Sequence, residues 1–510
     1  MLDKRDSYIR GLGQTIDWKL VAYYLILVLI GWVNIYASIH STEPSTIFDL
    51  SSRSGKQFIW IVTSLILAAL ILFVFNPRLW EVISVPVYLG VVVLLVAVIF
   101  LGVEVKGSRS WFAFGEIRFQ PAEISKISTA LLLSMVMSRP NFKMSNLKDF
   151  LTVAAIIGLP MLAIIGESET GSALVYIGFL FVLYREGMSG WFLVFIGMAI
   201  LLFILTLTAS NYTSVLVLLA VTSLSYAYLK DEFRTWLIRM GPVLLFFALL
   251  PKLWGLLCGA LIPGYEIITS GGDPSVVQSI TSASRWSFLL KFKPIYLLLG
   301  VCAISMPLLM VKAYREKHPY LWACIIAFLA GIVLTFSTSF IFNSVLQDHQ
   351  RKRIEVLLGL KEDPSGVGYN VNQSMIAIGS GGLFGKGFLG GTQTTYGFVP
   401  EQSTDFIFCT VGEEWGFVGC AIVILLYVFM IWRIIEDAEK CRENFTRIYG
   451  YCVASCIFMH LFINIGMTIG IMPVIGIPLP LLSYGGSSLW AFTVLIFIFI
   501  ALNREEKKYF

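Results

Sequence analysis

The sequence predicts an all-α integral membrane protein, a polytopic helical bundle of about fourteen spans carrying one large extracytoplasmic loop, 344–405. Two observations predict this. Only 14% of the residues are charged against 57% hydrophobic, with a mean hydropathy of +0.80, where a soluble chain carries about 25% charged residues. The remaining charges cannot solvate a water-facing surface. Residues 80–103 and 319–343 are also near-continuous apolar stretches, and one span needs roughly 20 such residues. Both observations exclude a large soluble enzyme.

In chain order the apolar runs fall at 18–40, 57–75, 80–103, 121–138, 150–166, 171–186 and 191–208. They continue at 212–229, 238–260, 294–313, 319–343, 406–432, 449–472 and 487–502. The charged start, MLDKRDSYIRGLGQTIDWK, precedes a first run that lacks a small-residue cleavage pattern, so that run is expected to remain as a helix. Of the eight cysteines only Cys441 lies outside an apolar run and none forms a CxxC pair, which reads as buried thiols. The four histidines are scattered, which argues against zinc chemistry; His460, inside an apolar run, reads as a packed, hydrogen-bonded residue.

The net charge of +5 matters less than its placement. With the N-terminus cytoplasmic, the inner segments hold Lys4, Arg5, Arg10, Arg139, Lys143, Lys148, Lys230, Arg234, Arg315, Lys317, Arg433, Lys440, Arg442, Arg447, Lys507 and Lys508, as short loops should. Both termini then lie inside, and 41–56, 104–120, 261–293, 344–405 and 473–486 lie outside. The outer segments also carry Lys106, Arg109, Arg118, Arg351, Lys352, Arg353, Lys361 and Lys386. Clustered outer cations want an anion, and phosphate is the usual one.

Loop 344–405 is too long and too patterned for a connector. Its carboxylates are Asp348, Glu355, Glu362, Asp363, Glu401 and Asp405. Asp363 precedes Pro364, Gly366 and Gly368, a turn able to hold one carboxylate fixed, or a turn that Asp363 merely initiates. The stretch 373–384 reads as an amphipathic segment lying along the membrane surface. Glycines 379, 381, 382 and 385 read as sites of close backbone approach in preference to a phosphate cradle. Glu123 and Lys126 stand three apart on one helix face inside an apolar run. Ionisable groups there are costly and mark function, with a structural ion pair as the competing reading.

Three blocks carry a resemblance. GYNVNQSMIAIGSGGLFGKGFLGGTQTTYGFVPEQSTDFIFCTVGEEWGFVG (368–419), GSRSWFAFGEIRFQPAEISK (107–126) and NIGMTIGIMPVIGIPLPLLSYGGSS (464–488) closely resemble the signatures of the SEDS family (shape, elongation, division and sporulation). GTQ at 391–393 followed by GFVPEQSTDFIF resembles its elongation branch, the RodA type, more than its division branch. The resemblance covers roughly 1–186 and 319–505, the two parts of the SEDS transmembrane core (1–186 and 319–510), and sets 187–318 apart as an extra membrane region of about four spans on a ten-span core. GESETGS (166–172) departs from the family's Q-P-D-L-G-T, placing Glu169 where that pattern has Asp.

The resemblance implies a peptidoglycan glycosyltransferase, an inverting lipid II polymerase acting in cell elongation, in the bacterial inner (cytoplasmic) membrane. By the D-P-x-G-x-G-Y match Asp363 is its catalytic general base. Arg109, Glu123, Lys126, Arg351, Arg353, Lys386, Gln373, Ser374, Glu401 and Asp405 are its candidate substrate-binding residues. The implied partners are lipid II (an undecaprenyl pyrophosphate-linked disaccharide peptide), a class B penicillin-binding protein and the elongation machinery, with no nucleic acid. No protein metal cage is legible. A divalent cation, Mg or Mn, would arrive with the pyrophosphate and bind through its oxygens and one or two carboxylates. Two alternatives stand beside this reading: a lipid II flippase, and a non-catalytic scaffold for the penicillin-binding protein.

Overall fold

The computed structural model describes residues 15–40, 46–105, 108–114, 117–262, 265, 286, 288–317, 319–344, 346, 348–358, 360 and 367–508. The chain divides into two compact units, Met1–Ser189 with Lys352–Phe510, and Gly190–Arg351.

The first unit opens with α1 (Trp18–Ile39), started by Asp17, whose carboxylate accepts from the backbone N–H of Lys19 (3.0 Å) and Leu20 (3.2 Å) as an N-cap. α2 (Arg53–Phe73) is capped by Ser52 and followed by α3 (Arg78–Leu101). Gly102 ends α3 and leads into β1 (Val103–Val105), β2 (Ser108–Phe114) and β3 (Ile117–Phe119), a small antiparallel sheet in that order. Its register pairs Val103 with Trp111 and Phe112 with Phe119. Pro121, with no N–H to leave unpaired, starts α4 (Pro121–Met137). Then come α5 (Leu147–Gly166), α6 (Thr170–Val175), a 3₁₀ turn at Tyr176–Gly178, and α7 (Phe179–Arg185).

The second unit holds α8 (Trp191–Thr208), α9 (Asn211–Leu229), α10 (Phe233–Leu261), α11 (Pro294–Glu316) and α12 (Pro319–Ser344). Leu202, Val215, Leu218, Phe247, Leu298 and Phe328 form its core. Two polar contacts link its helices: Thr206 with Ser214 (3.1 Å) and Ser339 with Asn211 (2.9 Å). α13 (Asp348–Leu357) straddles the boundary, and the first unit resumes with α14 (Val367–Ser380), α15 (Ile407–Lys440), α16 (Asn444–Thr468) and α17 (Gly486–Lys508).

Among the described residues, twelve helices are long and apolar enough to cross a membrane. The other two apolar runs differ from plain spans. Run 121–138 is the 17-residue α4, nearly all of it buried, and run 171–186 is broken into α6, the 3₁₀ turn and α7. Run 406–432 also extends further, because Arg433, Glu436 and Lys440 pair at i+3 and i+4 and carry the helix past the apolar stretch to Lys440.

Burial orders the first unit. α16 and α17 are 83% and 72% buried, against 44% or less for the other spanning helices, so they sit at its centre with α4. The outer helices expose large apolar residues such as Val82 and Phe100, a face suited to lipid and not to water. One end of this unit is charged. Arg433 meets Asp17 (2.5 Å) and Asp437 (3.3 Å), Lys507 meets Asp437 (3.5 Å), and Arg185 meets Glu439 (2.8 Å). The start of α1 and the end of α17 therefore share that end.

Candidate active site

Two buried polar constellations stand out in the first unit. In the first, α4 presents Glu123 and Lys126 one helical step apart, and Lys126 Nζ lies 2.9 Å from Glu123 Oε1. The central helix α16 adds His460, whose Nε2 is 2.8 Å from Lys126 Nζ. His460 Nδ1 lies 3.2 Å from the carbonyl oxygen of Pro478. A carbonyl only accepts, so Nδ1 carries the proton and Nε2 offers its lone pair to the ammonium. The ring of Phe492 on α17 sits 5.3 Å from the same ammonium, a cation–π contact. Lys126, Glu123 and His460 are 2%, 3% and 0% exposed.

The α5–α6 turn lies beside this group. Glu169 accepts from Gln120 Nε2 and from Ser172 Oγ, both at 2.6 Å. Its carboxyl is held above the ordinary range by burial, opposed by those hydrogen bonds and reinforced by the charge of Glu123. Glu167, buried with neither carboxyl oxygen hydrogen-bonded, is pushed up to about 9 by burial and then by Glu169. It is therefore an uncharged acid at neutral pH. Arg109 N–H donates to Glu167 O (3.2 Å), tying β2 to this turn.

The second constellation is built around Glu413, near the start of α15. Its Oε1 accepts from Lys386 Nζ (2.7 Å) and the N–H groups of Thr392 (2.8 Å) and Gln393 (2.9 Å). Its Oε2 accepts from the N–H and hydroxyl of Thr394, both at 2.8 Å. The glycine-rich segment runs along a break in α15 at Gly416 (φ 65°). Lys386 N–H donates to Glu413 O (3.0 Å), Gly387 N–H to Glu414 O (3.0 Å), and Phe417 N–H to Gly382 O (2.9 Å). A Cβ on Gly381 or Gly385 would lie 2.0 Å from the carbonyl oxygen of Gly412 or Glu414, and Gly385 has φ +78°. These two glycines thus serve close backbone approach. They also explain why the expected amphipathic segment 373–384 is instead a helix over Val367–Ser380 followed by turns.

The nest predicts an asymmetry. Glu413→Gln should lower stability by about 3 kcal/mol, since a buried multiple acceptor becomes part donor. Lys386→Ala should cost about 1 kcal/mol, because Lys386 is 27% exposed and six other bonds still hold Glu413. Thermal unfolding of the purified protein reads both, and equal shifts would contradict the nest.

The remaining residues singled out from the sequence are distributed. Arg109 is 59% exposed and pairs with Glu104 (3.5 Å). Arg351 lies over the Phe342 ring (5.7 Å) in the second unit. Burial on α13 holds the Arg353 guanidinium below its ordinary value. Gln373 is half-buried on α14. Ser374 is buried and donates to Thr468 O (2.6 Å), tying α14 to α16. Glu401 has φ +53° and accepts from Thr404 Oγ1 (3.1 Å). The carbonyl of Asp405 accepts from Asn464 Nδ2 (2.8 Å). Asp363 and its turn lie outside the described residues. Sequence reasoning passed over Glu413 as a site residue, although a carboxylate at the head of an apolar run is itself a signal. It also left His460 without its partner and did not anticipate the sheet.

Comparison with known proteins agrees with this fold. Residues 17–235 and 298–508 match the family model FTSW_RODA_SPOVE, described as cell cycle protein. The match runs through most of the region set apart from sequence as 187–318 and leaves 236–297 unmatched; by contacts the second unit is Gly190–Arg351. The peptidoglycan glycosyltransferase RodA of Treponema pallidum (strain Nichols) is 30% identical over 501 residues, covering 98% of this chain and 99% of the relative. The peptidoglycan glycosyltransferase MrdB of Escherichia coli (strain K12) is 27% identical over 486 residues, covering 95% and 93%. Among solved structures, a chain of a peptidoglycan synthase complex that coordinates polymerization and crosslinking superposes with a TM-score of 0.54 at 22% identity, covering 96% of this chain and 98% of that one. The rod shape determining protein RodA of Thermus thermophilus superposes with a TM-score of 0.51 at 20% identity, covering 96% and 97%. Matched over most of its length by sequence and by fold, the chain belongs to the FTSW_RODA_SPOVE family of cell cycle proteins.

Proposed function

We propose that this chain is a peptidoglycan glycosyltransferase of the RodA type, polymerising lipid II into glycan strands during cell elongation. The near end-to-end match to a peptidoglycan glycosyltransferase at 30% identity carries the reading. In the reaction, the 4-hydroxyl of one lipid II attacks the anomeric carbon at the lipid-linked end of the growing chain. The new C–O bond forms as the bond to the pyrophosphate breaks, inverting the centre, and the hydroxyl proton passes to a base. Asp363 is assigned that base by its place in the D-P-x-G-x-G-Y pattern. The departing pyrophosphate needs positive charge more than it needs an acid. Lys126 supports this role as an ammonium held in a buried site, where its field is least screened; it too is paired, with Glu123, whereas Lys386 and Arg109 are paired nearer solvent. Among the described residues no group of three or more His, Cys, Asp or Glu is arranged to hold a metal. A Mg or Mn ion arriving with the substrate would be held through the pyrophosphate oxygens and one or two carboxylates.

A class B penicillin-binding protein and the elongation machinery are the proposed partners, and the bacterial inner membrane the proposed location. The ion pairs joining Asp17, Arg433, Asp437 and Lys507 bring the start of α1 and the end of α17 together, which supports both termini lying on one side. The basic residues at that end support its being the cytoplasmic side, and with it the outer position of 344–405. A cysteine probe at position 365 should accordingly react with a membrane-impermeant reagent in intact cells. Labelling only after permeabilisation would overturn this topology.

The polymerisation reading is tested on purified protein in detergent, where transport between compartments has no meaning. Glycan strands formed from lipid II support the transferase. Their absence, with lipid II translocation in vesicles, would favour the flippase.

A further inference from the structure

At the charged end of the first unit, a cavity of about 400 Å³ opens between the end of α4, the α4–α5 connection, the end of α7 and the start of α16. Its walls include Arg139, Lys143, Phe142, Met144, Glu186 and Asn444. Glu186 is already matched by Arg447, at 2.9 Å. The nearby Asp149 accepts from Asn146 Nδ2 (3.1 Å) and from the backbone N–H of Lys143 (3.3 Å). Arg139 reaches only the sulfur of Met135 (3.7 Å). Among the described residues neither Arg139 nor Lys143 forms an ion pair, so this cavity holds two uncommitted cations over an apolar floor. Buried Met137 also lines the cavity, and beyond its lining Leu147 and Leu151 on α5 are exposed.

We propose that this cavity is a binding site for the phosphodiester headgroup of an anionic phospholipid. The two cations would take the phosphate, and Phe142 and Met144 would line the first acyl carbons. A free phosphate would use the cations alone; the apolar walls beside them commit the site to an amphiphile. Basic pockets between helix ends on the cytoplasmic side take such headgroups because each cation contributes while the apolar part remains in the bilayer. The occupant would brace the α4–α5 connection. That connection joins the helix bearing Glu123 and Lys126 to the helix that ends at Glu167. Lipid occupancy would therefore stiffen the frame of the buried polar cluster from the opposite end.

The test uses the full-length protein in detergent with phosphatidylglycerol or phosphatidylethanolamine added, bound lipid being counted by native mass spectrometry. The wild type should retain phosphatidylglycerol in preference. Each cation removed should weaken retention about fivefold, the equivalent of about 1 kcal/mol per basic residue. Arg139→Gln with Lys143→Gln should then lose roughly 30-fold. The exchanged pair Arg139→Lys with Lys143→Arg keeps the charges and should keep most of the retention, which separates lost binding from lost folding. Lys440→Gln, at the same end but paired with Glu436, should change little. Unchanged retention in the double Gln variant would overturn the proposal, as would an equal loss in Lys440→Gln. Displacement of the lipid by millimolar inorganic phosphate would show a free-phosphate site and overturn it as well.

Discussion

Lys126→Met is expected to lower glycan polymerisation by roughly a hundredfold or more, the cost of removing one preorganised charge from a transition state. It should also cost about 3–5 kcal/mol of stability, because it leaves Glu123 buried without its cation. The two effects are separable. Lys126→Met combined with Glu123→Gln removes the pair as a unit, and replacing a buried ion pair by groups of similar volume is often close to neutral. The double variant should recover most of the thermal stability and none of the activity. Recovery of both would make the pair purely structural, the alternative that the i, i+3 spacing left open. His460 enters the same argument. Its Nε2 lone pair faces the ammonium while Nδ1 is committed to Pro478, so the imidazole must stay neutral to hold Lys126.

Much of the fold was legible because span length is a local property. Each of the fourteen apolar runs corresponds to a helix or a broken helix, the largest difference at an end being the eight residues by which α15 runs past 432. The Glu123–Lys126 pair was legible for the same reason, since three residues define it. What sequence reasoning missed is non-local. Lys126 meets His460 across 334 positions, and Glu413 draws its donors from a loop 19 to 27 residues earlier. No periodicity reports such distances. The small sheet at 103–119 was missed for a different reason: two of its strands are three residues long, too short for alternation to register against the flanking helices. Gly381 and Gly385 show the opposite case. Close approach was legible at these two, and the structure supplies the partner, the opened backbone at Gly412–Gly416; the same expectation fails at Gly379 and Gly382, which face open space.

Lys386 and Arg109 mark where charge counting is a weak guide. A basic residue in an outer segment reads as an anion ligand until its neighbours are known, and here each has a carboxylate within reach. Lys126 has a carboxylate partner too, Glu123, and differs because it is withdrawn from water, with His460 and the Phe492 ring also at its ammonium.

The second large effect concerns the base. Asp363→Asn keeps the shape and turn preference of the residue but cannot take a proton, and a positioned base is worth typically 10²–10⁴-fold. The loss should appear in turnover, with expression, thermal stability and partner binding unchanged, because the substitution is isosteric. The most direct measurement is therefore glycan polymerisation from lipid II by the purified chain in detergent, wild type beside Asp363→Asn. The account predicts strands from the wild type and a hundredfold or greater loss in the variant. Near-equal polymerisation by the two would remove Asp363 from the chemistry, and no strands from a well-folded wild type would contradict the transferase itself.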